Sequence, residues 1–278
     1  MTESASTPTQ PTRAQTFRDL HRDDTPLILP NAWDAGSARL MEHLGCKAVA
    51  TTSGGVAWTH GYPDGDRLPV PLLATTVASI TRVVSVPVSV DIEGGYADDP
   101  AVVEDAVAAV IDAGAVGINI EDGSDDPALL CRKIEAARRA SERLGVALFI
   151  NARTDVVLRG LVAEDAWVTE ITRRAALYRS AGADGLFVPR LTHADAIAAL
   201  AAVGMPLNVM ACPGLPAVAE LQRLGVRRLS AGTSLAQMVY GQVSERAAAF
   251  LRDGDSDATT ADGMPYADIN ALFPASVA

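Results

Sequence analysis

Short apolar runs alternate with longer amphipathic stretches along almost the whole chain. Runs with the bulk and branching of strands fall at 26–30 (PLILP), 47–53, 86–92, 115–121, 147–153, 184–189, 206–210 and 227–231. The segments between them read as helices. Asp99-Pro100 and Asp126-Pro127 each pair an N-cap with a proline at the first helical position, where its missing N–H costs nothing. Gly45, Gly114, Gly145, Gly182, Gly204 and Gly225 stand where helices should stop, because glycine tolerates the left-handed conformation after the last turn. Eight strands, with no linker between 26 and 240, predict a single (β/α)8 TIM barrel, an α/β fold. A doubly wound open sheet is the alternative that strand count and length disfavour. The boundaries follow: a Ser/Thr/Pro/Gln-rich tail over 1–12, expected to be disordered; the barrel over 13–250; and a polar loop with a short helix over 251–278.

Strand side chains alternate between faces, so the pattern also says where the polar residues point. Val88, Val90 and Ile92 oppose Ser89, Asp91 and Glu93; Val116, Ile118 and Ile120 oppose Gly117, Asn119 and Glu121; Leu148, Ile150 and Ala152 oppose Phe149, Asn151 and Arg153. The aliphatic sets suit the helix layer. The polar sets then face the lumen, and Asp91, Glu93, Glu121, Arg153 and Ser53 converge at the C-terminal mouth, where barrels of this kind keep their active sites. Converging carboxylates repel unless a positive charge lies among them. A hard divalent cation, Mg2+ with Mn2+ as its substitute, would supply that charge through oxygen ligands; the alternative is an ion-pair network centred on Arg153. Ser53-Gly54-Gly55 offers backbone N–H groups to a carboxylate, or is a plain tight turn. Gly232-Thr233-Ser234 is likewise either a phosphate site or an ordinary helix start.

Composition narrows the chemistry. The chain has 278 residues, 49% hydrophobic and 21% charged, with a formal charge of −11. That acidity disfavours nucleic acid and anionic membrane as partners. No apolar run reaches the roughly 18 residues a transmembrane helix requires, and MTESASTPTQPTRAQ carries no apolar signal region, so a cytoplasmic protein is expected. Cys46, Cys131 and Cys212 are too scattered for a disulfide framework. The only lysines are Lys47, at a strand start, and Lys133, in a helix. Neither is expected at the mouth, which argues against Schiff-base catalysis. His60 is the one histidine on a plausible active-site loop and a candidate acid–base group.

The stretches LPNAWDAGSARL, ATTSGG, GYPDGD, VPVSVDIEGGYADDP, GAVGINIEDG, FINARTD and AGADGLFVPR together resemble the isocitrate lyase/phosphoenolpyruvate mutase (phosphonomutase-like) superfamily over about residues 15 to 240. The resemblance implies a Mg2+-bearing barrel, in a homodimer or homotetramer that exchanges a C-terminal helix. It implies cleavage or formation of C–C or P–C bonds beside a 2-oxo acid, through a metal-bound enolate. Carried onto this sequence, Ser53, Gly54 and Gly55 hold the substrate carboxylate, with Asn151 beside them. Asp91 ligates the metal directly, Asp64, Glu93 and Glu121 act mostly through water, and Arg153 steadies the enolate oxygen. One departure matters: IEDGSDDPALLCRKIEAARRA runs almost directly into a helix, without the KKCGH-type lid of the family lyases, and Cys131 falls inside that helix as a small hydrophobe. Oxaloacetate decarboxylation is the activity that best fits a missing lid. Cleavage of a larger 2-hydroxy acid, of the 2-methylisocitrate lyase type, stays open with His60 or Tyr96 moving the proton. The alternatives are a phosphonopyruvate-type P–C mutase or hydrolase, and a non-catalytic 2-oxo-acid-binding protein.

Overall fold

The computed structural model describes residues 8–273. Nine strands make one all-parallel sheet: β1 (Leu27–Leu29), β2 (Asn31–Ala32), β3 (Val49–Thr51), β4 (Val88–Asp91), β5 (Gly117–Glu121), β6 (Phe149–Arg153), β7 (Gly185–Val188), β8 (Leu207–Met210) and β9 (Arg228–Ser230). Each of the eight predicted strands is present. The ninth arises because the first continues past Pro30. β1 pairs with β9 and β2 pairs with β3, so the ring closes through these two short pieces. Proline has no N–H to give a ladder, which is why the strand is split there.

The helices are α1 (Gln10–Leu20), α2 (Ala35–His43), α3 (Ser53–Thr59), α4 (Val70–Val83), α5 (Pro100–Asp112), α6 (Pro127–Leu144), α7 (Trp167–Ala181), α8 (Ala194–Ala201), α9 (Val218–Arg223) and α10 (Ser234–Asp253), followed by the short α11 (Ser256–Thr260) and α12 (Tyr266–Ala271). Asp99 and Asp126 cap α5 and α6 through their side chains, with Pro100 and Pro127 opening the helices. Asp34 closes a reciprocal capping box with Ser37 at the start of α2. All six predicted stop glycines have positive φ. Residues 1–7 of the expected tail lie outside the described residues. Its last part is not tail: Thr9 caps α1 and Pro11 sits in the first turn, so Gln10–Thr12 are helical.

The aliphatic strand faces, Val88, Val90, Ile118, Ile120, Ile150 and Ala152, are buried against the helices as the alternation requires. The opposite faces fill the lumen. At its N-terminal end α1 inserts Phe17, fully buried, into the space left by Gly117. A Cβ there would lie 2.6 Å from the Phe17 ring. His21 stacks on Phe149 at 4.0 Å beside it. Above this plug lies a polar layer, in which Asn151 Nδ2 donates to Asn119 Oδ1 (2.9 Å) and Asn208 Oδ1 (3.0 Å). The guanidinium of Arg228 is fully buried, 3.3 Å from Asn119 Oδ1 and over the Phe17 ring. No helix of the described residues is long and apolar enough to cross a membrane.

Candidate active site

The mouth is built from the ends of β4, β5 and β6 and the loops that leave them. Asp91, the last residue of β4, is tied by its N–H to Thr51 Oγ1 (2.9 Å), and its Oδ1 accepts from Glu93 N (3.1 Å). Its other carboxylate oxygen has no hydrogen bond among the described residues. Glu121 ends β5 and faces Arg153 at the end of β6, Nη1 to Oε2 2.6 Å. Arg153 also grips Asp155, with Nε to Oδ1 at 2.7 Å and Nη2 to Oδ2 at 3.1 Å. Two of its five guanidinium N–H groups are thus hydrogen-bonded to Asp155, and the guanidinium pairs with Glu121 through its charge.

Glu93 lies just past β4 with φ of 52°, a left-handed conformation uncommon for a residue with a side chain. Its Oε2 accepts the backbone N–H of Gly65 (2.7 Å) and of Asp66, fastening the 62–67 loop over the mouth. Tyr96, also left-handed at φ 63°, turns its hydroxyl to Glu93 and gives its N–H to Asp66 Oδ1 (2.9 Å). Asp64 projects from the same loop, 3.4 Å from where a Cβ on Gly54 would stand.

Burial and the neighbouring carboxylates together shift the ionisation of these groups. Burial first, then Asp64, Asp66 and Asp91, push Glu93 up to about 7. Burial, with Asp91, Asp155 and Asp66 behind it, outweighs the pull of Arg153 and raises Glu121 to about 8. Burial likewise raises Asp91 against the opposing pull of Arg153. Burial and the surrounding carboxylates hold the Tyr96 phenol well above its ordinary range, so it stays a proton donor.

Among the described residues no three carboxylate, imidazole or thiol side chains close on one point as a direct metal cage. The oxygens present suit a hydrated cation instead. Asp91 has one unshared oxygen, whereas Glu93 Oε2 and Glu121 Oε2 are already engaged. A divalent ion such as Mg2+ keeps most of its waters and takes one or two carboxylates.

The predicted set is thus partly assembled. Asp64, Asp91, Glu93, Glu121 and Arg153 come together. Asn151 does not reach the mouth: it lies a layer below Arg153, and both of its amide N–H groups are spent on Asn119 and Asn208. His60 ends α3, about 10 Å of helix from Ser53, with Nε2 on Thr76 Oγ1 of α4 (2.8 Å) rather than on a carboxylate. Ser53-Gly54-Gly55 is no turn but the first turn of α3. A Cβ on Gly55 would lie 2.7 Å from Thr52 and 2.8 Å from Trp33, so close packing demands this glycine. The Ala231 and Gly232 N–H groups both donate to Asn31 Oδ1 at 2.9 Å, which removes them from any phosphate. Three residues escaped the sequence reading. Asp155 carries the same parity as Asn151 and Arg153, and two more steps along β6 would have found it. Asp66 sits in an irregular loop with no period to read. Lys133 reaches the back of the mouth from α6, its Nζ 2.7 Å from Gly94 O. Behind Asp155, Asp122 accepts from Asp155 N (2.9 Å), Arg174 (2.8 Å) and Tyr178 (2.5 Å), which anchors the end of β6 to α7.

The phosphoenolpyruvate phosphomutase family pattern matches residues 17–251. The chain belongs to that family. Within the wider isocitrate lyase/phosphoenolpyruvate mutase superfamily, whose members are carbon–carbon lyases and mutases, this family member has measurable relatives. The uncharacterized protein Rv1998c of Mycobacterium tuberculosis is 38% identical over 265 residues, 92% of this chain and 95% of its own. A Burkholderia cenocepacia J2315 crystal structure, provisionally designated a lyase/mutase, superposes with a TM-score of 0.84 at 36% identity, covering 94% of this chain and 95% of that one. The oxaloacetate decarboxylase of Ectopseudomonas mendocina is 31% identical over 220 residues, 76% of this chain and 75% of the relative.

Proposed function

We propose that this family member is a Mg2+-dependent lyase for a small 2-oxo or 2-hydroxy acid, with oxaloacetate decarboxylation as its leading activity. One observation carries the reading: acids at the ends of β4 and β5 crowd around Arg153, and Asp91 keeps an oxygen free. The likeness to an oxaloacetate decarboxylase supports the choice of reaction. So does the short connection of residues 122–126 between β5 and α6, which leaves no room for a lid bearing a general acid.

Bound Mg2+ would act as a Lewis acid on the 2-oxo group. The Arg153 guanidinium would stabilise the charge that develops on that oxygen as the bond to CO2 breaks. The electron pair of that bond becomes the enolate, and the carbon left behind takes a proton. The Tyr96 hydroxyl, kept neutral beside Glu93, is our candidate donor. The mouth amides of Ala231 and Gly232, satisfied by Asn31, weigh against phosphonate substrates.

We also propose that the exposed apolar face of α10, including Val243, Phe250 and Leu251, meets a second copy of the chain in a homodimer or homotetramer.

The test is product formation from oxaloacetate, 2-methylisocitrate, isocitrate and phosphonopyruvate with MgCl2, with and without EDTA. Oxaloacetate is expected to yield pyruvate in an EDTA-sensitive reaction. Asp91→Asn should reduce the rate by more than the roughly 10–100-fold typical of an outer-shell partner. Turnover that survives EDTA or Asp91→Asn would overturn the mechanism.

A further inference from the structure

Lys133 is one of only two lysines in the chain. It projects from α6, and its side chain is 5% exposed. Its Nζ donates to Gly94 O at 2.7 Å and lies 3.7 Å from Asp98 Oδ1, a carboxylate that is 88% exposed. A buried ammonium this poorly paired is costly unless its charge is used.

Gly94 is the centre of a strained loop. Glu93 (φ 52°), Gly95 (φ 92°) and Tyr96 (φ 63°) are all left-handed, and two of them carry side chains. Such strain persists only where the surroundings over-determine it. On the mouth side Gly94 lies against Asp66: a Cβ at Gly94 would stand 2.7 Å from Asp66 Oδ2. Asp66 in turn receives Tyr96 N and sends its own N–H to Glu93. The positive charge of Lys133 also acts on Asp66 directly. Lys133 therefore holds from behind the peptide that fixes Glu93, Asp66 and Tyr96 in front.

We propose that Lys133 is a positioning residue, whose ammonium on the Gly94 carbonyl clamps the Glu93–Tyr96 loop in the conformation that presents Glu93 and Asp66 to the mouth. The importance of this loop to turnover rests on the lyase reading; the clamp itself does not.

Hydrogen exchange on the full-length chain reads the clamp without any activity. In Lys133→Met the amides of Gly65, Asp66 and Tyr96 should exchange about 10-fold or more faster, while those of β7 and α8 keep their rates. Mg2+ alone, titrated calorimetrically, should bind this variant about 10-fold more weakly. Unchanged loop exchange, or acceleration spread evenly over the barrel, overturns the proposal. Absence of Mg2+ binding to the wild-type chain would instead sink the lyase reading and leave exchange to decide the clamp. A second measurement needs no variant: competitive acetylation should modify Lys133 about 10-fold or more slowly than the exposed Lys47, and equal rates would exclude the clamp even if Lys133→Met failed to fold.

Discussion

Glu93 and Glu121 bind protons more tightly folded than unfolded, because the fold buries them among other acids. Their folded values of about 7 and about 8 stand above an ordinary 4.5. A carboxyl raised in this way contributes its stability below about 4.5 and loses it as pH climbs through its folded value. In chelator, the unfolding temperature should therefore fall between about pH 5 and about pH 8.5. Mg2+ favours the ionised forms and should flatten that slope, so a slope identical with and without Mg2+ would count against a cation at these acids. Strand alternation made Asp91, Glu121 and Arg153 legible because each ends a regular strand. It also named Glu93, although that residue has left the strand and reaches the cluster through a left-handed backbone no period encodes. Asp66 and Lys133 were illegible because each depends on a loop and a helix meeting in space. Alternation put Asn151 on the lumen face with Arg153, but it gives the face of a strand and not the depth, and Asn151 lies a layer lower.

At the scale of elements, the eight strands and their helix stops were readable because proline, glycine and aspartate act locally. The division of the first strand at Pro30 was in the sequence as well, since a residue without an N–H interrupts any ladder. The closing of the barrel floor by α1 was not, as it depends on Phe17 meeting a gap 100 residues away in the chain at Gly117. That fit is testable. Gly117→Ala would push a methyl group to 2.6 Å from Phe17 and 3.1 Å from Ser89 Oγ. Overpacking of this kind should destabilise the chain by about 1–3 kcal/mol in urea denaturation, with earlier proteolysis within α1. A neutral result would mean that the helix shifts freely, and that it seals nothing.

At the scale of the molecule, α10 departs from the barrel with Leu251 84% exposed, Val243 more than half exposed and Phe250 half exposed. The C-terminal segment returns to α2, where Arg39 Nε donates to Leu272 O at 2.7 Å. If a second copy covers α10, sedimentation should show a dimer or tetramer, and the pair Val243→Asp and Leu251→Asp should yield a folded monomer; a monomeric wild type would remove the proposed assembly. The buried relay from Arg153 through Asp155 and Asp122 to Arg174 and Tyr178 has a different consequence. It fastens the arginine of the mouth to the outer helix layer, independently of the 62–67 loop and the Glu93–Tyr96 turn. The chain is in this respect modular. The 62–67 loop and the Glu93–Tyr96 turn can change without moving the arginine beneath them.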